Sequence, residues 1–190
     1  MTTVRIAHIE PWPGKRMDGG GFRISSFLVV LADDSGGRAL PVWLNGPEGH
    51  GLLRGQAGHP HPEPAEVITA SLLSAAGVAV TGVDIDELDA TLTTGPRHGR
   101  DTAQATARIG FTAAGTGEPR QMTVRIGYAL AMAAAADAPV RVADRLMDQF
   151  AVSAQGDLAN QFTKDVPLPR RHRRLPRLFR GHPQARLAAR

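Results

Sequence analysis

Two apolar runs joined by a short polar turn constrain this chain more than any other feature. Ile24-Ser25-Ser26-Phe27-Leu28-Val29-Val30-Leu31 is β-branched and apolar, the composition of a central strand. Asp33-Asp34-Ser35-Gly36-Gly37 follows, and Arg38-Ala39-Leu40-Pro41-Val42-Trp43-Leu44 returns. Turn formers between two such runs signal a β-hairpin. Pro41 has no amide hydrogen for a neighbouring strand, so it predicts an edge position or a bulge.

The flanking sequence predicts the rest of the layer. Val4-Arg5-Ile6-Ala7-His8-Ile9 alternates as a half-buried strand does. Pro11, Pro13, Gly14 and Gly19-Gly20-Gly21 predict a loop after it. Asn45-Gly46-Pro47 turns the chain into a short helix from Glu48 to Arg54. A proline-broken loop spans 58–64. A second helix runs from Ala65 to Ala76, with Val67, Ile68, Leu72 and Leu73 near helical spacing and Gly77 as its C-terminal cap. Strands are expected at Val78–Asp86 and Ala90–Thr94, then a polar loop over 95–101, then a strand pair at Thr102–Thr112 and Gln121–Ile126. Tyr128–Ala136 is Ala-rich and reads as a buried helix ended by Asp137-Ala138-Pro139. A short strand, Val140–Val142, and a helix, Ala143–Phe150, complete the pattern. Hairpins and helices in this order do not alternate as βαβ units. They predict an α+β fold, a mixed, mainly antiparallel sheet with helices packed on it. The expected domain is 1–150, with an arginine-rich tail over 151–190.

Charge is segregated along the 190 residues. Arg170, Arg171, Arg173, Arg174, Arg177, Arg180, Arg186 and Arg190 lie in the last 21 positions, with no acid among them. Taking those eight from the 22 lysines and arginines leaves 14 basic against 18 acidic residues in 1–169. The net charge of +4 therefore describes the tail, not the body. The tail has scattered Leu and Phe without a period, so it is expected to be disordered alone. There is no cysteine, which removes disulfides and thiolate metal sites. No apolar stretch is long enough for a transmembrane helix and no signal-peptide layout opens the chain, so a cytoplasmic location is expected.

Three pieces of sequence carry a family resemblance. The first is Leu40-Pro41-Val42-Trp43-Leu44, then Gly46-Pro47 and Glu48. The second is Leu72-Leu73 through Gly77, then a strand ending in Asp86-Glu87-Leu88. The third is Val124-Arg125 through Ala129-Leu130-Ala131-Met132-Ala133, then Ala138-Pro139-Val140-Arg141-Val142. In this order and spacing, from Val4 to Phe150, they resemble the bifunctional nuclease family, described as acting on DNA and RNA. The resemblance implies that fold, a nuclease activity on DNA and RNA, and nucleic acid as partner. It also has departures. Where the family has Thr-His-Asp this chain has Ala65-Glu66-Val67, and for Pro-Ser-Asp it has Ile126-Gly127-Tyr128. Asn45 stands before the family's Gly. A histidine and two aspartates thus lack counterparts, which opens an alternative: a non-catalytic nucleic-acid-binding or regulatory module on the same fold.

Phosphodiester hydrolysis needs a general base or metal hydroxide, and positive charge on the phosphate. Asp84, Asp86, Glu87 and Asp89 are the richest carboxylate group. On an ideal strand Asp84 and Asp86 share one face and Glu87 takes the other. Asp84 and Asp86 are therefore candidate ligands for Mg²⁺ or Mn²⁺, and Asp86 and Glu87 candidate catalytic groups. The competing reading is a solvated strand end. Glu48, at a helix start, is the third catalytic candidate, with His50 beside it; helix capping would explain it equally. His59 and His61 flank Pro60 as a less specific pair. Arg125 stands at the start of a helix, where a cation is unfavourable unless a partner relieves it. A phosphate would serve, or a salt bridge to an acidic loop such as the Asp84–Asp89 run, and Gly127 would let an anion come close to the backbone. Arg170, Arg171, Arg173 and Arg174 are candidate backbone-phosphate contacts, with an anionic membrane surface or simple solubility as the competing readings of the tail. No organic cofactor is expected. A homo-oligomer is, through packing of the Ala-rich helix against its copy.

Overall fold

In the computed structural model the central hairpin forms from the two apolar runs; residues 1–16, 22–56, 65–88, 105–113 and 115–154 are described. Strand β2 (Phe22–Asp33) pairs with β3 (Arg38–Asn45) without a register shift, Val29 opposite Val42 and Val30 opposite Pro41. Asp33 organises the turn. Its Oδ1 accepts from Gly37 N (2.9 Å) and Ser35 Oγ (2.9 Å), and its Oδ2 pairs with Arg38 Nε (3.4 Å). Burial pushes the Asp33 carboxyl up, but the Arg38 amide, Ser35, the Arg38 guanidinium and the Gly37 amide together hold it below its ordinary value. Gly36, at φ +69°, supplies the left-handed residue of the turn.

Strand β1 (Thr2–Arg16) pairs antiparallel with β2 along nearly its whole length. It runs well past the expected end at Ile9, through Pro11 and Pro13. Strand β7 (Val140–Val142) pairs with β1 at Thr2–Val4 alone, so beyond Val4 one edge of β1 carries no partner strand among the described residues. Proline is tolerated on such an edge, and three register shifts absorb the misfit. The same reasoning accounts for Pro41. On the far side of β3, strand β8 (Val152–Ser153) pairs at Arg38 and Ala39, and Pro41 has no partner strand on that edge among the described residues. With β8 the sheet continues past the expected boundary at 150.

The other half of the sheet consists of β4 (Ala79–Ile85), β5 (Thr106–Thr112) and β6 (Pro119–Arg125). Among the described residues the order across the sheet is β6-β5-β4-β7-β1-β2-β3-β8, with only β4 and β7 parallel. This is the expected α+β architecture, mixed and mainly antiparallel.

Helices α1 (Gly46–Gln56), α2 (Ala65–Ala75), α3 (Ile126–Ala135) and α4 (Asp144–Phe150) bury the main core. Phe27, Val29 and Leu31 of β2, Leu40, Val42 and Leu44 of β3, and Val83 and Ile85 of β4 point into it. The alternate residues Leu28, Val30, Ala39 and Trp43 form a smaller cluster with Trp12, whose ring meets Trp43 edge-on at 5.6 Å. Helix α3 is buried at Ile126, Gly127, Ala129, Leu130, Ala131 and Ala133. Its small residues make close contacts within the chain, while Tyr128 stays exposed. Helix α2 differs from expectation too. Of its residues only Ala70 is buried, while Ile68 and Leu72 are 47% and 65% exposed. It packs mainly on α3, through a small residue, rather than through its large apolar stripe. Gly77 caps it as expected, at φ +72°, with Val78 N donating to Leu73 O.

Candidate functional site

Glu48 and Arg125 are brought together by the packing of α1 on α3. Asn45 ends β3 and caps α1, its Oδ1 accepting from Glu48 N at 3.1 Å. The Asn45-x-x-Glu48 spacing is that of a capping box, so the residue that departs from the family pattern has a structural job. Gly49 lets α1 lie directly on β2, since a Cβ there would stand 2.1 Å from the Phe27 ring. Gly127 does the same between helices: a Cβ there would meet Glu48 Cβ at 2.4 Å. Two glycines thus press the first turn of α1 against the first turn of α3.

The result is a buried carboxylate beside a half-exposed guanidinium. Glu48 is 6% exposed, and its Oε1 lies 3.7 Å from Arg125 Nη1. Arg125 is the N-cap residue of α3 and makes no side-chain cap bond. A cation at this end of a helix is disfavoured by roughly 0.3–1 kcal/mol, and Glu48 is the partner that offsets it. Burial raises the Glu48 pKa above its ordinary value; Asn45 and the Arg125 guanidinium oppose the shift without cancelling it. His50 is exposed, its ring edge-on to Phe27 at 4.8 Å.

The acidic strand end forms a second group, on the face of the sheet away from α1–α3. A polar hollow of about 520 Å³ is lined by Asp84, Asp86, Glu87, Arg108, Arg145 and Thr123, with Thr106 at its margin. Asp84 and Asp86 share this face as their spacing predicts. Glu87 joins them instead of pointing away, because β4 ends at Ile85 and alternation stops there. Each aspartate has a guanidinium. Asp84 Oδ1 accepts from Arg141 Nε at 2.6 Å, Asp86 pairs with Arg108, and Arg145 Nη2 donates to the Asp86 carbonyl at 2.5 Å. Among the described residues no three His, Asp or Glu side chains converge to hold a metal. With one oxygen of each aspartate held by an arginine, the group fits an ion-pair network better than a site for Mg²⁺ or Mn²⁺.

The two groups adjoin at the β5–β6 edge. Glu48 and Arg125 do not line the hollow. Arg125 is nonetheless opposite Thr106 in the β5–β6 register and two residues beyond Thr123, both at the hollow. Its backbone belongs to the hollow's edge while its guanidinium turns to Glu48.

Arg108, Arg141 and Arg145 were not among the expected site residues. Arg108 and Arg141 could have been found from alternation, since each sits between apolar residues, Ala107 and Ile109 or Val140 and Val142, and must face the other side. His59, His61, Asp89, the strand expected at Ala90–Thr94, and Arg170, Arg171, Arg173 and Arg174 lie outside the described residues. Glu66, at the position of the family's histidine, lies against α1: a Cβ on Gly51 would come within 3.2 Å of its Oε1. No helix among the described residues is long and apolar enough to cross a membrane. The chain matches no family model and no curated protein sequence.

Proposed function

We propose that this chain is a nuclease of the bifunctional nuclease type, hydrolysing phosphodiester bonds of DNA and RNA, with Glu48 as general acid–base group and Arg125 as the phosphate contact. The observation that carries the reading is the buried Glu48 carboxylate, its pKa raised by burial, set against the half-exposed Arg125 guanidinium at the start of α3. A carboxyl shifted toward neutrality can both take and return a proton. A guanidinium beside free helix amides suits a phosphate oxygen. On binding, the phosphate would replace Glu48 as the partner of Arg125 and free the carboxylate to act on a water. Asp86 and Glu87 stand in the adjoining hollow, where Arg108 and Arg145 would hold the neighbouring backbone phosphates.

A second reading has its own support. The engagement of Asp84 and Asp86 by Arg141 and Arg108, with Ile126-Gly127-Tyr128 at the start of α3, suits a module that binds nucleic acid without cutting it. One assay separates the two. Plasmid and single-stranded RNA are incubated with the protein in Mg²⁺, Mn²⁺ or chelator, beside Glu48→Gln and Arg125→Ala. The nuclease reading expects cleavage that falls about 10²–10⁴-fold in Glu48→Gln. Binding without cleavage selects the module. Cleavage untouched in both variants places the chemistry elsewhere.

A further inference from the structure

The loose seating of α2 leaves a cleft on the helix-covered face of the sheet, opposite the polar hollow. It encloses about 430 Å³, within the range of small-molecule sites. Its floor is apolar: Ile109 and Phe111 of β5 with Met122 and Val124 of β6. Leu73 of α2 and Met132 of α3 form its walls. Met122, 53% exposed, and Tyr128, 40% exposed, leave the cleft open to solvent. The two methionines give the wall soft, adaptable contacts.

Two observations define the occupant. Among the described residues, Glu66 is the only charged side chain lining the cleft, and none of those lining it is basic. Tyr128, the one tyrosine in the chain, adds an aromatic face. A carboxylate and a ring face both attract positive charge. We propose that the cleft binds an apolar small molecule carrying one cationic nitrogen, its body on the Ile109–Met122 floor and its charged end at Glu66 and Tyr128. The site is separate from the Glu48–Arg125 pair and stands whether or not the nuclease reading holds.

Matched amphiphiles provide the test. Dodecyltrimethylammonium and dodecanoate, each below its micelle concentration, are titrated into the full chain by calorimetry and by methyl NMR on ¹³C-methionine. The cation should bind saturably and about tenfold or more tighter than the anion, the effect of one favourable charge at a partly exposed site. Methyl signals of Met122 and Met132 should move, and that of Met147, in the core, should not. Glu66→Gln should bring the two affinities within about threefold. Thr69→Trp, a change at an exposed cleft-lining position, should block the cation while leaving the melting temperature near the parent value. Equal affinities in the parent chain, still methionine signals, discrimination that persists in Glu66→Gln, or full binding in Thr69→Trp would each overturn the proposal.

Discussion

Glu48 is a carboxylate that the fold buries at a cost, and that cost has a pH signature. Because its pKa in the folded chain is raised, the native state holds the Glu48 proton more tightly than the unfolded chain does. The contribution is fully present below the unfolded value near 4.5 and is lost as pH rises through the folded value. Glu48→Gln keeps the shape and removes the charge, and Arg125 is exposed enough for water to solvate it alone. The variant should therefore gain melting temperature relative to the parent chain as pH is raised from 4 to 8. A constant difference across that range would mean that Glu48 is not strained by burial. Asp33 gives the opposite sign. Its lowered pKa supplies stability above the unfolded carboxylate value that is lost as pH falls through the folded one. Asp33→Asn should cost more stability at pH 7 than at pH 3, read from urea midpoints at both pH values. Arg125 could be placed at a helix start from sequence alone, but its partner could not. Glu48 is remote in sequence, and the contact exists only because Gly49 and Gly127 let two helix ends meet.

Helix α1 is the element that delivers Glu48, and Gly49 is what seats it. Adding a methyl group at Gly49 drives into the Phe27 ring at its base, so the helix must lift from β2. Gly49→Ala should cost about 1–3 kcal/mol, the usual range for overpacking, measured by denaturant unfolding. A cost within 0.5 kcal/mol of zero would mean that α1 shifts freely and that the Glu48–Arg125 distance is soft. The central hairpin was legible because two apolar runs and a turn state the same structure twice, once in each strand. Helix α3 was legible because its alanines left no other way to be helical and buried. Helix α2 was misread for a physical reason. Its period identifies an apolar side, with Ile68 and Leu72, but says nothing of which neighbour has room for it. Packing on the small-residue surface of α3 selected Ala70 instead. The extension of β1 was hidden by Pro11 and Pro13, which break a strand only where both edges are paired.

The whole molecule divides by charge and by face. One face of the sheet carries the helices and the apolar cleft. The other is apolar across β1–β3, with Trp12 and Trp43, and ionic across β5, β4 and β7, where Arg108, Asp84 and Arg141 sit side by side in the ladders. Alternation makes this division readable in outline, since Val83 and Ile85 must point away from Asp84 and Asp86. Which arginine meets which aspartate follows from strand order, and the parallel β4–β7 pair has no local signal. Past the sheet, the eight arginines of 170–190 hold charge enough to offset the acidic excess of the remainder. If those arginines contact backbone phosphates, binding to duplex DNA releases counterions in proportion to the contacts made, with a log–log salt slope of about −0.9 for each. Removing 170–190 should then weaken duplex binding at low salt and flatten the slope by about 3 or more, as expected if roughly half the arginines are engaged. Because the domain's own contacts would remain, the truncated chain should keep a shallower slope of its own, and Arg125→Ala should lower that residual by about 1. A slope identical in the full and truncated chains would assign all backbone contact to the folded body, and leave its Arg108, Arg125 and Arg145 to account for it.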